Sequence, residues 1–75
     1  MAKILKPHTV VGRNISRIRA ARGLTQEKLA ERADMDRRSL QRMEAGSWNM
    51  TIDYLDRLRR ALRCSWADLL DRLEN

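Results

Sequence analysis

The chain has 75 residues, a formal net charge of +6 and a single cysteine. This length allows one domain with a small core and leaves no room for a separate catalytic domain. Hydrophobic residues make up 43% of the chain, which is ample for a helical core, and the absence of Phe argues against a β-sheet. One cysteine excludes an internal disulfide and a cysteine-rich metal site.

No apolar run approaches the roughly 20 residues that a membrane span requires. The first residues, MAKILKPHT, lack the long apolar segment and the cleavage site of a secretion signal. We therefore expect a cytoplasmic protein with no membrane partner.

The positive charge lies in the first half of the chain. Residues 1–42 hold eleven Lys or Arg and four Asp or Glu, whereas residues 43–75 hold five and six. Thirteen of the sixteen basic residues are Arg, whose planar guanidinium suits phosphate and guanine. This distribution favours a polyanionic partner, with a merely solubilising surface as the alternative.

The start of the chain predicts an arm and a first helix. Residues 1–8 show no periodicity and are expected to form a flexible arm, so that the domain spans residues 9–75. Thr9 is the expected N-cap of the helix and Gly23 its stop. Apolar positions recur at spacings of four and three, at Val11, Ile15 and Ile18.

Four further helices are expected, near 26–33, near 37–44, from 52 and from 66 through 73. Each follows a residue that is typical of an N-cap, namely Thr25, Asp36, Thr51 and Ser65. The predicted inward positions are Leu29, Ala30 and Ala33, then Leu40 and Met43, then Ile52, Leu55, Leu58 and Leu62. The fifth helix carries an apolar face formed by Trp66, Leu69, Leu70 and Leu73. The fold class is therefore an all-α, compact five-helix bundle.

The second and third helices have the features of a helix-turn-helix. Ala30 is small enough for two helices to cross closely, and Asp34 tolerates the positive φ that the tight turn needs. A purely structural helical hairpin is the alternative. The outward face of the third helix carries four side chains suited to the edges of DNA bases, because Arg can bond both acceptors of guanine and Gln can match adenine: Arg37, Arg38, Gln41 and Arg42.

Residues 10–70 resemble the Xre/Cro family of helix-turn-helix domains, the lambda-repressor-like fold of lambdoid phage repressors. The resemblance lies in GRNISRIRAARGLTQEKLAERADMDRRSLQRMEAG, including LTQEKLA, and in WNMTIDYLDRLRRALRCSWADLL. It implies base reading by Arg37, Arg38 and Arg42, with Ser39 and Gln41 as flanking contacts. It also implies a phosphate contact by Gln26.

The same resemblance implies a buried ion pair between Arg19 and Glu44, where the sequence alone leaves plain exposure of Arg19 equally open. The chain departs from the family at Asp34, where a turn glycine is common, and at Met50, where a proline is common. Further phosphate contacts are expected from the loop and the first helix, at Ser47, Trp48, Asn49, Arg13 and Arg17. Trp48 is equally expected as a core residue folded under the loop.

One domain of this size reads too few base pairs to define a site in a genome, so we expect a homodimer on an inverted repeat of double-stranded DNA. The expected dimer interface comprises Trp66, Leu69, Leu73 and Tyr54. The alternative is that this stripe simply closes the core, and that alternative is favoured for Leu69.

Segments DRRSLQRME and NMTIDYL resemble the controller proteins of restriction–modification systems, which activate or repress their own operon. A small phage Cro-like repressor and an antitoxin-type protein-binding module are the alternatives. RNA polymerase would be a further partner of an activator. His8 is the only histidine, and Cys64 is expected to be a buried apolar residue, so we expect no metal, no cofactor and no enzymatic activity.

Overall fold

The computed structural model describes residues 6–47 and 50–73 of the chain. These residues form five helices: α1 Pro7–Ala21, α2 Gln26–Arg32, α3 Arg37–Glu44, α4 Ile52–Leu62 and α5 Trp66–Leu69. Neither range contains a strand, and the predicted all-α architecture of five helices is confirmed. No helix within these ranges is long and apolar enough to cross a membrane.

Side-chain caps begin the last four helices, as the sequence predicts. In each case the cap oxygen accepts from the backbone N–H three residues later, which satisfies one of the unpaired donors of the first turn. The caps are Thr25 (3.1 Å), Asp36 (3.0 Å), Thr51 (3.1 Å) and Ser65 (3.0 Å). At α5 the carboxylate of Asp68 also accepts from the Ser65 N–H at 3.2 Å, so the two residues form a complete capping box.

The predicted start of the first helix is wrong by three residues, because the N-cap is Lys6 and not Thr9. Helix α1 begins at Pro7 after Lys6, whose side chain makes no capping bond, and Thr9 lies inside the first turn. Proline fits here because the first helical residue has no intrahelical partner for an N–H. Pro7 and His8 are therefore helical rather than part of an arm, while residues 1–5 of the predicted arm lie outside the described residues.

The end of the chain also differs from the prediction. Helix α5 ends at Leu69, and Leu70 and Leu73 lie in the turn that follows. Ile52, predicted to face inward, is 74% exposed because it is the first residue of α4, and the inner face of that helix is formed by the buried side chains of Leu58 and Leu62.

The turn between α2 and α3 has the predicted geometry. Asp34 adopts a left-handed conformation with φ of 55°, and the Met35 N–H bonds the Ala30 carbonyl at 3.0 Å to close the end of α2. Arg57 of α4 donates to the Asp34 carbonyl at 3.2 Å. The turn is thus stabilised by a hydrogen bond from α4 as well as by its own backbone hydrogen bonds.

The core lies where α1, α3 and α4 meet α2 and α5. Seven large side chains are fully buried in it, namely Ile15, Leu29, Leu40, Met43, Leu58, Leu62 and Leu69. Every helix contributes at least one of them, so the core joins the five elements. Because close-packed interiors have little free space, the placement of each helix is specified by the others.

Helices α1 and α3 approach closely at Gly12. A Cβ at this position would lie 2.9 Å from the carbonyl oxygen of Glu44 and nearer still to that of Met43. Only a residue without a side chain permits α1 to lie this close to the last turn of α3.

Replacing Gly12 with Ala is therefore expected to destabilise the fold, although Ala is the better helix former. Backbone carbonyls cannot rotate aside, so we expect the clash to outweigh the propensity gain, with a net loss of about 2 kcal/mol in the free energy of unfolding. Urea denaturation followed by circular dichroism measures this quantity.

Gly23→Ala is the matched control. Gly23 has φ of 69° but open space around its Cα, so Ala there should cost only about 1 kcal/mol from backbone strain. A Gly12→Ala variant as stable as the parent would contradict the close approach of α1 to α3.

Candidate nucleic-acid interface

Helix α3 divides into a buried side and an exposed side. Leu40 and Met43 have no exposed surface. The four predicted base-reading residues, Arg37, Arg38, Gln41 and Arg42, are all exposed. The helix is thus anchored by its apolar side and presents three guanidinium groups and one amide on a single surface, which we call the α3 face.

The start of the α3 face is organised by Asp36. Its carboxylate accepts from the Ser39 backbone N–H at 3.0 Å and from the Ser39 hydroxyl at 2.7 Å. The side-chain bond and the backbone bond from Ser39 lower the pKa of Asp36, with a smaller effect from the charge of Arg38. The Ser39 hydroxyl is thus paired with Asp36 in the free protein, and the predicted DNA contact by Ser39 stays a prediction.

The predicted ion pair between Arg19 and Glu44 is present. Arg19 Nε lies 2.8 Å from Glu44 Oε2, and Arg19 Nη2 lies 3.1 Å from Oε1. Arg19 Nη1 also donates to the Leu24 carbonyl at 2.8 Å. The two side chains are 18% and 6% exposed, so this two-bond pair is largely removed from water. It joins α1 to the last residue of α3 and adds orientation more than net stability.

Gln26 lies in the same network. Its Nε2 donates to Glu44 Oε1 at 3.1 Å, so the carboxylate binds both Arg19 and the first residue of α2. A primary amide has two N–H donors and a carbonyl acceptor. The bond to Glu44 uses one donor and leaves a second for another acceptor, with the direction of the side chain already set.

The other predicted phosphate contacts fall into three groups. Ser47 and Arg13 are exposed, and the Ser47 hydroxyl donates to the Arg42 carbonyl at 3.3 Å. Trp48 and Asn49 lie outside the described residues. Arg17 donates to Asn14 at 3.3 Å and lies beside Asp68 and Asp71 in a shallow groove on the α5 side of α1. Arg22 lines the same groove, and the predicted phosphate contact by Arg17 stays a prediction.

The predicted dimer residues are not equivalent. Trp66 and Leu73 are each 37% exposed, with Arg59 above the Trp66 ring at 5.3 Å. Tyr54 is half-buried against the core and has Arg57 above its ring at 5.5 Å. Leu69 has no exposed surface, so its assignment to an interface is wrong and it belongs to the core.

Two residues near the site were not identified from the sequence. Gly12 and Asn14 both lie on α1, and both are buried. A glycine inside a helical pattern is a signal of close approach, and an amide among apolar positions is a signal of a buried hydrogen bond. Neither signal indicates which residue is the partner.

Cys64 is buried as predicted, and desolvation raises the pKa of its thiol, which favours the unreactive protonated form.

Glu44→Gln is expected to lower the free energy of unfolding by about 2 kcal/mol. Gln has nearly the same shape but removes the negative charge and turns an N–H toward Arg19, leaving a largely buried guanidinium without a counter-ion. Asp56→Asn is the control, because Asp56 pairs with Arg59 and Arg60 at a more exposed position and should cost less than about 1 kcal/mol. If urea denaturation gives the two variants equal losses in the free energy of unfolding, the special role of the buried pair is contradicted.

Asp36 predicts a pH dependence of stability. Its folded pKa lies below the ordinary value of 3.8, so its ionised form stabilises the fold above that value, and the contribution is lost as the pH falls through the lower folded pKa. Asp36→Asn should therefore lower the melting temperature at neutral pH, and this difference from the parent should shrink below pH 3.8. A difference that stays constant from pH 7 to the acid range would refute the effect.

The chain is similar to known proteins in sequence and in fold. The family model described as helix-turn-helix matches residues 15–69. The uncharacterized HTH-type transcriptional regulator y4dJ of Sinorhizobium fredii is 36% identical over 61 residues, which are 81% of this chain and 79% of the relative.

Two solved structures superpose closely. The clp gene regulator ClgR from C. glutamicum has a TM-score of 0.86 at 27% identity, covering 93% of this chain and 90% of that chain. The restriction–modification controller protein C.Esp1396I, solved as a tetramer with its natural 35 base-pair operator, has a TM-score of 0.82 at 30% identity, covering 95% and 93%. The chain therefore belongs to the Xre-type helix-turn-helix family of transcriptional regulators.

Proposed function

We propose that this transcriptional regulator binds double-stranded DNA sequence-specifically as a homodimer on an inverted-repeat operator. The observation that carries the proposal is the division of α3, whose Leu40 and Met43 are fully buried while Arg37, Arg38, Gln41 and Arg42 are exposed. A short helix of this kind fits the major groove, where Arg bonds guanine and Gln bonds adenine.

Phosphate contacts would hold the α3 face in register. Gln26 is the best-supported of them, because its bond to Glu44 fixes the side chain beside the last turn of α3 and leaves one amide N–H to donate. Arg13 and Ser47, both exposed, are further proposed contacts, as are Trp48 and Asn49.

The homodimer is proposed to form through Trp66 and Leu73, with Tyr54 at its margin. Trp66 and Leu73 are exposed large apolar side chains near the end of the chain. Residues 43–75 carry a net charge of −1, so two copies would meet there with little repulsion. Two α3 faces would then enter successive major grooves about 34 Å apart.

The proposed role is that of a controller of a restriction–modification operon, supported by the likeness to C.Esp1396I. A small Cro-like repressor is the nearest alternative, and RNA polymerase is a proposed partner if the protein activates. We propose a regulator without enzymatic activity, acting in the cytoplasm.

Selection of DNA ligands from a random pool tests the function. We expect a two-fold symmetric site whose affinity falls steeply with salt, because each neutralised phosphate releases counter-ions. Recovery of no sequence above background would exclude the operator and favour a protein-binding module of the antitoxin type.

On the selected site, Arg37→Ala and Arg42→Ala should each weaken binding by about 1–3 kcal/mol and relax the preference at one base pair. Arg32→Ala is the matched control, because it removes an exposed Arg of α2 that lines a groove toward α4 rather than lying on the α3 face. A uniform loss on all sequences would show that Arg37 and Arg42 contact phosphate only. Equal losses for Arg32→Ala would show a general charge effect.

A further inference from the structure

Asn14 is a buried polar side chain on the core-facing side of α1. It is 4% exposed and lies between the apolar positions Val11 and Ile15. Burial of an amide is unfavourable unless its hydrogen-bonding groups are paired. Its presence at this position therefore requires specific partners.

Those partners are at the far end of the chain. Asn14 Nδ2 donates to the Leu69 carbonyl at 3.0 Å and to the Asp71 carbonyl at 2.9 Å, which uses both of its N–H groups. Its Oδ1 accepts from Arg17 Nη2 at 3.3 Å. The amide is thus fully bonded, and its donors satisfy the carbonyl of the last residue of α5 and a carbonyl of the turn that follows.

Helix α5 depends on such contacts because it has only four residues. A single turn is not stable in isolation. The described attachments of α5 are the capping box at its start, the Arg59 guanidinium above the Trp66 ring, the buried Leu69 side chain, and the two bonds from Asn14 at its end. Only the last of these links its backbone to α1 by hydrogen bonds.

We propose that Asn14, oriented by Arg17, is the positioning residue for the surface through which two copies associate, namely Trp66 and Leu73. The proposal rests on the homodimer proposed above. An amide is needed because Asp offers no donor to the two carbonyls and an apolar residue offers none either. Arg17 then has a role at the α5 end of the domain.

The same helix sets the relation between the two surfaces. Gly12 brings α1 against the carbonyls of α3, and Asn14, two residues later, bonds the carbonyls at the end of α5. The position of α5 relative to α3 is therefore set by the contacts that both helices make with the same turn of α1. In a dimer this position determines the distance between the two recognition helices.

The test compares amide exchange and self-association in the full chain. Leu73→Glu is first introduced to place a charge on the association surface, so that exchange is measured on monomers. In that background Asn14→Asp and Asn14→Leu should each accelerate exchange of the Leu69 and Leu70 amides, measured by NMR, by about tenfold or more relative to the amides of α3. Asn14→Leu serves as the variant that keeps the core apolar.

In the otherwise unchanged chain, both Asn14 variants should raise the dissociation constant of the dimer by about tenfold or more in sedimentation equilibrium. Ala20→Asp, which adds a charge at an exposed position of α1, should change neither quantity. Unchanged α5 exchange, or equal acceleration in α3 and α5, would overturn the positioning role. Faster α5 exchange with unchanged association would overturn the link to the dimer.

Failure of the homodimer itself has a different signature. A parent chain that stays monomeric refutes the association surface, whereas the exchange comparison, made on monomers, still decides whether Asn14 positions α5. Loss of sequence-selective DNA binding by the parent would refute the operator without altering either result.

Discussion

The close approach of α1 to the last turn of α3 is the constraint on which the rest of the structure depends. Gly12 lets the two backbones meet, and the Arg19–Glu44 pair joins the same elements about two turns farther along α1. With its carboxyl end held in this way, α3 has one orientation relative to the core, and its exposed residues have one direction. A regulator that reads base edges needs this kind of fixed geometry, because hydrogen bonds to bases depend strongly on angle and distance.

Features that depend on local chemistry could be predicted from the sequence. Side-chain caps at Thr25, Asp36, Thr51 and Ser65 need only a suitable oxygen and the next three residues. The left-handed Asp34 follows from the few residue types that tolerate positive φ. The division of α3 into apolar and polar sides follows from its periodicity.

Features that depend on partners distant in the chain could not be predicted from the sequence. The bonds of Asn14 span 55 and 57 residues, and nothing in its neighbourhood names the carbonyls at the end of α5. Arg17 has the exposure and charge of a phosphate ligand, but its surroundings include Asp68 and Asp71, which only the packing of α5 brings near. Leu69 and Leu73 belong to one apolar stripe in the sequence, yet α5 ends between them and only Leu69 enters the core.

The bond between Gln26 and Glu44 has a consequence for the entropy of recognition. A long, exposed glutamine side chain ordinarily loses conformational entropy when it binds a ligand, and that loss opposes binding. Here the loss occurs when the chain folds, since the Glu44 carboxylate holds the amide at 3.1 Å before any ligand arrives. In the proposed phosphate contact, the acceptor would therefore meet a donor that is already ordered.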